Sequence, residues 1–376
     1  MIAITFTQCS KNELEARQAV RIFGQGVPFL VGPEEQNSTF SFYNTSPESP
    51  DGNLIAYVKI LTQQSSEYQS LNGELWVCDA NLLNHQKVTN LDNFISHNGV
   101  EFQWIDNTRL VFFDDGLIKG VNLQGQPIFS PFSAFSIGRE PKGNKFLYSK
   151  IASETNQYTI FEFDVSTNTS RFIANASNLT GITNYFTASQ PRPLTDWRIR
   201  HLSYSPNGEK IAFRLDIGAT TSTDRHVVTM NTNGQDIKFF GPQPMHFDWF
   251  DNSSIMGHDD IVNDGQPNDK STRRWTLNGE FIETLAGPGN HLSANTNRSV
   301  FATESWYNSN PVILRAYKRG QTTPFWQQTV SVDDFTVWGW GNHVNPAFSR
   351  DGKRLYYHKN TAPGKSQAFM LVLPNN

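Results

Sequence analysis

The chain has 376 residues, a net charge of −4 and 37% hydrophobic residues, enough to bury one large all-β domain or two smaller ones. With 31 basic residues set against 35 acidic ones and no dense Lys/Arg run, it lacks the electrostatic footprint that nucleic acid requires. Two cysteines, Cys9 and Cys78, give no disulfide framework, and no apolar run is long enough to span a bilayer.

The 28 Phe, 9 Trp and 11 Tyr beside 26 Gly and 19 Pro favour strands and tight turns, because aromatic rings suit pleated surfaces and Gly/Pro punctuate them. At the start, MIAITFTQCSKNE has a short apolar stretch before Cys9 and a polar tail, the shape of a lipoprotein export signal. Gln8 departs from the small residue expected there. Residues 1–17 are therefore set apart as a tail, and the expected location is secreted, periplasmic or cell-surface, a lipoprotein included.

From residue 18 to 376 the chain reads as a repeat. Aligned on a tight turn, seven segments match: SPDGNLIAYVK (49–59), IDNTRLVFFDD (105–115), EPKGNKFLYSK (140–150), SPNGEKIAFRL (205–215), FDNSSIMGHDD (250–260), NTNRSVFATES (295–305) and SRDGKRLYYHK (349–359). Each turn precedes an alternating apolar strand, and a second hairpin follows, as in RHVVTMNTNGQDIKFFG with its Asn-Gly. Cys78, in ELWVCDA, reads as a buried strand residue. Four short antiparallel strands per unit is the pattern of a propeller blade. The prediction is a single seven-bladed β-propeller of four-stranded antiparallel blades. The segment QAVRIFGQG (18–26) has no blade of its own and is expected to complete the last blade beside SQAFMLVLP (366–374), closing the ring with an N-terminal strand. The Ser-Pro-Asp-Gly turns and NPAFSRDGKRLYY resemble TolB-like propellers, a likeness of scaffold that names no chemistry.

In a propeller, the innermost strand of each blade starts at one mouth of the central channel, and the turn after it lies at the other. Four residues before the turn stand His201, His246 and His291, in successive blades and 45 residues apart; the next blade has Asn345 there and His343 two residues earlier. Of nine histidines in the chain, four are thus aimed at one mouth. Arg225 and His226 begin the third strand of the fourth blade, and His226 is expected at the same end as His246. An imidazole titrates near neutral pH and a guanidinium pairs with carboxylates, so the set suggests acid–base chemistry on an anionic ligand. Trp306 and Tyr307 suit stacking on a sugar ring. The insertion at residues 175–197, with Tyr185 and Arg192, is expected to overhang the mouth. The loop GHDDIVNDGQPNDKSTRR, with His258, Asp259, Asp260, Arg273 and Arg274, reads as solvated surface, Arg273 being kept as a ligand contact. His85, His97 and His358 read as structural or surface residues.

The phrases PMHFDW, GNHLSAN and GNHVNPAFSRDGKRLYY resemble the oligogalacturonate lyase family, and the spacing of His226 and His246 is similar to that in propeller-type ulvan and rhamnose-glucuronate lyases. That resemblance implies β-elimination at a uronic acid, with His246 handling the proton, Arg225 nearest to the family's essential arginine, and His291 and His343 as metal ligands. Asn345 stands where the family has a further ligand histidine, and Trp340 where it has a glutamine, so manganese, zinc, calcium or no metal all stay open. The expected partner is an anionic polysaccharide or oligosaccharide, met by a monomer. Two other classes fit the scaffold: a non-catalytic propeller that binds glycan or protein, and the propeller part of a serine peptidase. The latter lacks a Gly-x-Ser-x-Gly elbow.

Overall fold

A computed structural model describes residues 23–42, 44–62, 69–95, 100–185, 194–217, 225–241, 246–258, 269–305, 309, 311–331, 344–362 and 365–374. Its strands form seven separate four-stranded antiparallel sheets, six built from consecutive strands and the seventh from the first strand and the last three. All seven aligned turns join the first and second strands of a sheet, the degenerate second and third units included. The turns share one geometry. Gly52, Gly208 and Gly352 take φ of 73 to 76°, and their amides donate to Ser49, Ser205 and Ser349 carbonyls at 2.8–2.9 Å. Arg298 fills the same place in the sixth blade at φ 57°, donating to Asn295 O at 2.9 Å.

The core is divided like the ring. Seven apolar clusters lie one at each interface between blades, such as Leu147, Ile160, Ile199 and Leu215 between blades 3 and 4, or Ala212, Val227, Phe247 and Trp275 between blades 4 and 5. Each sheet is therefore apolar on both faces, because both are covered by a neighbour. Its innermost strand supplies the channel wall.

Ring closure departs from the sequence expectation by a few residues. The closing strand is Pro28–Leu30, antiparallel to Lys365–Val372 (Pro28↔Leu371, Leu30↔Phe369), whereas 18–26 was expected. Of that segment, residues 23–26 are described; only Gln25 forms an isolated bridge, to Val372, and residues 18–22 lie outside the described residues. Pro28, Phe29 and Leu30 are all apolar and half-buried against the last strand, and Gly26 before them takes φ 72° while its amide donates to Val372 O at 2.8 Å. The first part of the insertion, Ala176–Tyr185, is a 3₁₀ helix packed against the outer strands of blade 3, with Leu179 in the core and Gly181 beside the Phe239 ring, and residues 186–193 lie outside the described residues.

A buried carboxylate locks the first blade to the last. Glu48 is fully buried, pairs with Arg354 Nη2 at 2.7 Å, and accepts from Tyr356 Oη at 2.5 Å and the Arg350 amide at 2.9 Å. At the turn face the channel widens into a cavity of about 890 Å³, whose lining includes Arg139, Asp248, Arg298 and Arg350. Glu48→Ala leaves Arg354 without its buried partner and is expected to cost about 3–5 kcal/mol. Urea denaturation measures this, and a loss below about 1 kcal/mol would remove the pair from ring closure.

Candidate active site

Four of the predicted residues, His201, His246, His291 and Asn345, lie at the mouth opposite the turns. His246 and His291, each just before the first strand of its blade, have ring centroids 4.3 Å apart. His201 lies within the strand Trp197–Tyr204 at a bulge, with φ 54°, and Asn345 has φ 48° at the matching place in blade 7. Phe42, from an excursion of the first blade's inner strand, joins the group: it stacks on His201 at 5.6 Å and 17°, and meets His291 edge-on at 5.6 Å. The channel axis thus carries an aromatic ring between imidazoles of blades 4 and 6.

A second tier stands behind the first. The second strands place Arg214, His258, Glu304 and His358 beside His201, His246, His291 and Asn345, nine residues after the start of the turn, or eight in blade 5, where the register shifts between Trp249 and Asp251. His258 is buried and lies 5.1 Å from the His246 ring. His291 Nδ1–H donates to the buried Glu304 Oε1 at 2.5 Å, and Asn345 N donates to Glu304 Oε2 at 2.9 Å. Because a carboxylate only accepts, this bond places a proton on His291 Nδ1 and fixes the orientation of the ring. Arg214 is held by Asp216 in a bidentate pair, Nε–Oδ1 2.7 Å and Nη2–Oδ2 3.0 Å. His358 has the structural role expected of it: its Nε2 accepts from the Phe40 amide at 2.9 Å. His85 likewise bonds Tyr57 Oη at 2.9 Å.

The loop read as solvated surface is a correction. His258 ends the strand Ser254–His258 and Arg273 lies in Ser271–Thr276; both are buried because these strands face neighbouring blades. Arg273 pairs with Asp269 Oδ1 at 3.1 Å. Arg225 and His226 open the strand Arg225–Asn231, where adjacent side chains take opposite faces. Arg225 pairs in register with Asp216, on the face toward blade 5; His226 is buried and pairs with Leu215, on the face toward blade 3. Tyr185 ends the 3₁₀ helix, and its side chain is not described; Arg192, Trp306, Tyr307, Trp340 and His343 lie outside the described residues, as do Asp259 and Asp260.

Burial and like charge keep the imidazoles neutral. His201 is held well below the ordinary histidine range by burial, then by Arg214, Arg139 and Arg200. His246 is lowered by burial, then by His291, His258 and His201. His258 is pushed down to about 3 by burial and by His291. The mouth is therefore a place where neutral bases sit among guanidinium groups, an environment that favours an anionic ligand.

Two of the donors suit a divalent ion. The His291 ring is oriented by a carboxylate, as metal-binding imidazoles are, and Asn345 Oδ1 is buried with no hydrogen-bond partner among the described residues. No group of three His, Cys, Asp or Glu side chains able to hold an ion occurs among the described residues, so further donors would come from outside them, where His343 lies.

No protein-family model matches the chain, and no curated protein matches it in sequence. Solved structures do match. An oligogalacturonate lyase in complex with manganese aligns with a TM-score of 0.65 and 14% identity, over 93% of this chain and 94% of that one. The chain has the fold of oligogalacturonate lyase. A second such lyase, from Vibrio parahaemolyticus, gives 0.67 and 12% over the same shares. A prolyl endopeptidase gives 0.54 and 14% over 92% of this chain but 49% of that one. At these identities it is the fold that is shared.

A neutral buried histidine makes stability depend on pH. The unfolded chain protonates its histidines near pH 6.5 while the fold keeps His201, His246 and His258 neutral, so the unfolded state binds more protons below that pH and acid destabilises the fold. Each contributes a loss on the order of 1 kcal/mol between pH 7 and 5.5. Urea unfolding at both values is expected to show a smaller acid loss in His258→Gln than in the wild type, by one histidine's share; equal losses would mean that the His258 ring is charged in the fold.

Proposed function

We propose that the protein is a polysaccharide or oligosaccharide lyase that cleaves a uronate-containing anionic glycan by β-elimination. The observation that carries this reading is the convergence of neutral imidazoles with guanidinium groups at one channel mouth. The shared fold of oligogalacturonate lyase supports it.

The chemistry needs both kinds of group. The C5 proton of a uronic acid is removable once charge on the adjacent carboxylate is neutralised, and a preorganised guanidinium does this without solvent reorganisation. Arg225, on the same sheet face as Arg214 and next to the mouth of blade 5, is the candidate for that role. His246, neutral and partly exposed, takes the C5 proton. The C4–O bond breaks as the C4=C5 double bond forms, and the departing oxygen receives a proton from Tyr307, while neutral His201 is a second proton acceptor at the mouth. His226, facing blade 3, is the alternative donor. Tyr185, Arg192, Arg273 and Trp306 are proposed to contact the flanking sugars. A divalent ion held by His291, Asn345 and His343 would add Lewis-acid neutralisation of the carboxylate. A polymeric substrate of this kind would be met outside the cytoplasm, so the proposed location is the periplasm, the cell surface or the medium. No helix among the described residues is long and apolar enough to cross a membrane.

The product of elimination is conjugated and absorbs in the ultraviolet, so a screen of pectate, ulvan, alginate, glucuronan, gum arabic and glycosaminoglycans reads the reaction directly. Absorbance should rise with at least one of them; binding without any rise would favour a non-catalytic propeller. His246→Ala is expected to lower turnover by about 10²- to 10⁴-fold with little change in the melting temperature. Retained turnover would take His246 out of the proton-handling role. Elemental analysis before and after chelation, in the wild type and in His343→Ala, reads out the ion.

A further inference from the structure

The mouth position that carries histidine in blades 4, 5 and 6 is filled in blade 2 by Glu101, four residues before its turn. Around the ring the seven positions read Thr45, Glu101, Ser136, His201, His246, His291 and Asn345. Glu101 is the one carboxyl among them. We propose that Glu101, Arg139 and Arg200 form a second subsite on the side of blades 2 to 4, which takes a further carboxylate of an acidic oligosaccharide while the imidazoles of blades 5 and 6 face the reacting sugar.

The geometry sets three elements against one another. Arg139 starts at the turn side, where it lines the wide cavity, and is almost completely buried; its guanidinium carbon lies 5.3 Å from the Phe247 ring centroid, so it forms part of the floor. Arg200 comes from the inner strand of blade 4, stacks its guanidinium at 4.8 Å over Phe135 of blade 3, and has a side chain about one-third exposed (32%). Both guanidiniums act electrostatically on Glu101 and on His201. Glu101 accepts from the Ile137 amide. The other charges nearby are committed or farther back. Asp216 is clamped to Arg214, with Arg200 Nε 3.7 Å away, and Arg198 stands behind Arg200. In Glu101's own blade, Asp114 is held by Lys119 at 2.6 Å and by the Asp92 and Asn93 amides.

Two guanidiniums facing one carboxyl make a site whose charge depends on that carboxyl. Burial pushes Glu101 up to about 7 although the Ile137 amide, Arg200 and Arg139 all oppose it. Below that pH the carboxyl is neutral and no longer offsets the guanidinium charge that faces a ligand carboxylate. Above it, ionised Glu101 neutralises them and repels the ligand. Binding an anion here is therefore coupled to proton uptake by Glu101.

The ligand class rests on the proposed function; the test reads binding, apart from turnover. Calorimetric titration of trigalacturonate into the full chain carrying His246→Ala, at pH 6 and pH 8, is expected to show affinity weaker by about ten-fold at the higher pH, with proton uptake on binding. Adding Glu101→Gln should leave binding equally tight at both values, and adding Arg200→Gln should weaken it at pH 6. Melting temperatures close to that of the parent show that the variants are folded. A pH dependence unchanged by Glu101→Gln, unchanged binding in Arg200→Gln, or no binding of the acidic oligosaccharide would overturn the subsite. The same pH effect without ultraviolet product in the wild type would uphold the subsite and defeat the lyase reading. Turnover with a pH dependence of binding indifferent to Glu101 would do the reverse.

Discussion

Everything at the channel mouth depends on closing the ring. A sheet edge left open would expose unpaired amides and carbonyls, and the chain closes it with three residues, Pro28–Leu30, laid against Lys365–Val372. Three residues make a short seam. Buried charge reinforces it, since Glu48 binds Arg354, Tyr356 and the Arg350 amide across the junction of blades 1 and 7. Arg350 then reaches Glu140 of blade 3 at 2.6 Å, and the Ser46 amide donates to the same carboxylate at 3.2 Å, so one cluster ties three blades together at the turn face. The opposite face is left for the imidazoles.

That division of labour gives the mouth its chemistry. Carboxylates at the turn face are spent on structure, while at the other end Asp216 and Glu304 each orient a partner, Arg214 and His291. His201, His246 and His258 are neutral because they are buried beside cations or other imidazoles, and a neutral imidazole is the form able to accept a proton. One side of the mouth is guanidinium-rich, from blades 3 and 4. The other is imidazole-rich, from blades 5 and 6, with Phe42 packed between the two.

Much of this was legible because a propeller repeats its spacing. The turn motif located all seven blades, and counting back four residues located His201, His246, His291 and Asn345 at a common end. The second tier was less visible. Arg214, His258 and Glu304 occupy one position of the following strand, yet they differ in type, and a one-residue change in blade 5 hides the alignment. Glu101 was obscured likewise, sitting in a degenerate unit as an acid where its counterparts are bases. Phe42 had no signal at all, since it projects from an irregular excursion of the first blade. The closing strand was misplaced because any short apolar run near the N-terminus satisfies the same pattern.

What the sequence determined by itself is therefore periodic: blade number, strand alternation, and the end of the channel at which each first-strand residue lies. Those follow from local spacing, since a strand reverses at its turn and its side chains alternate whatever surrounds them. The face on which Arg225 and His226 fall, the partner of each imidazole, and its neutral state were decided only by the tertiary structure. They depend on pairing register and on which blade covers which face, and burial acts through distances that chain separation does not encode.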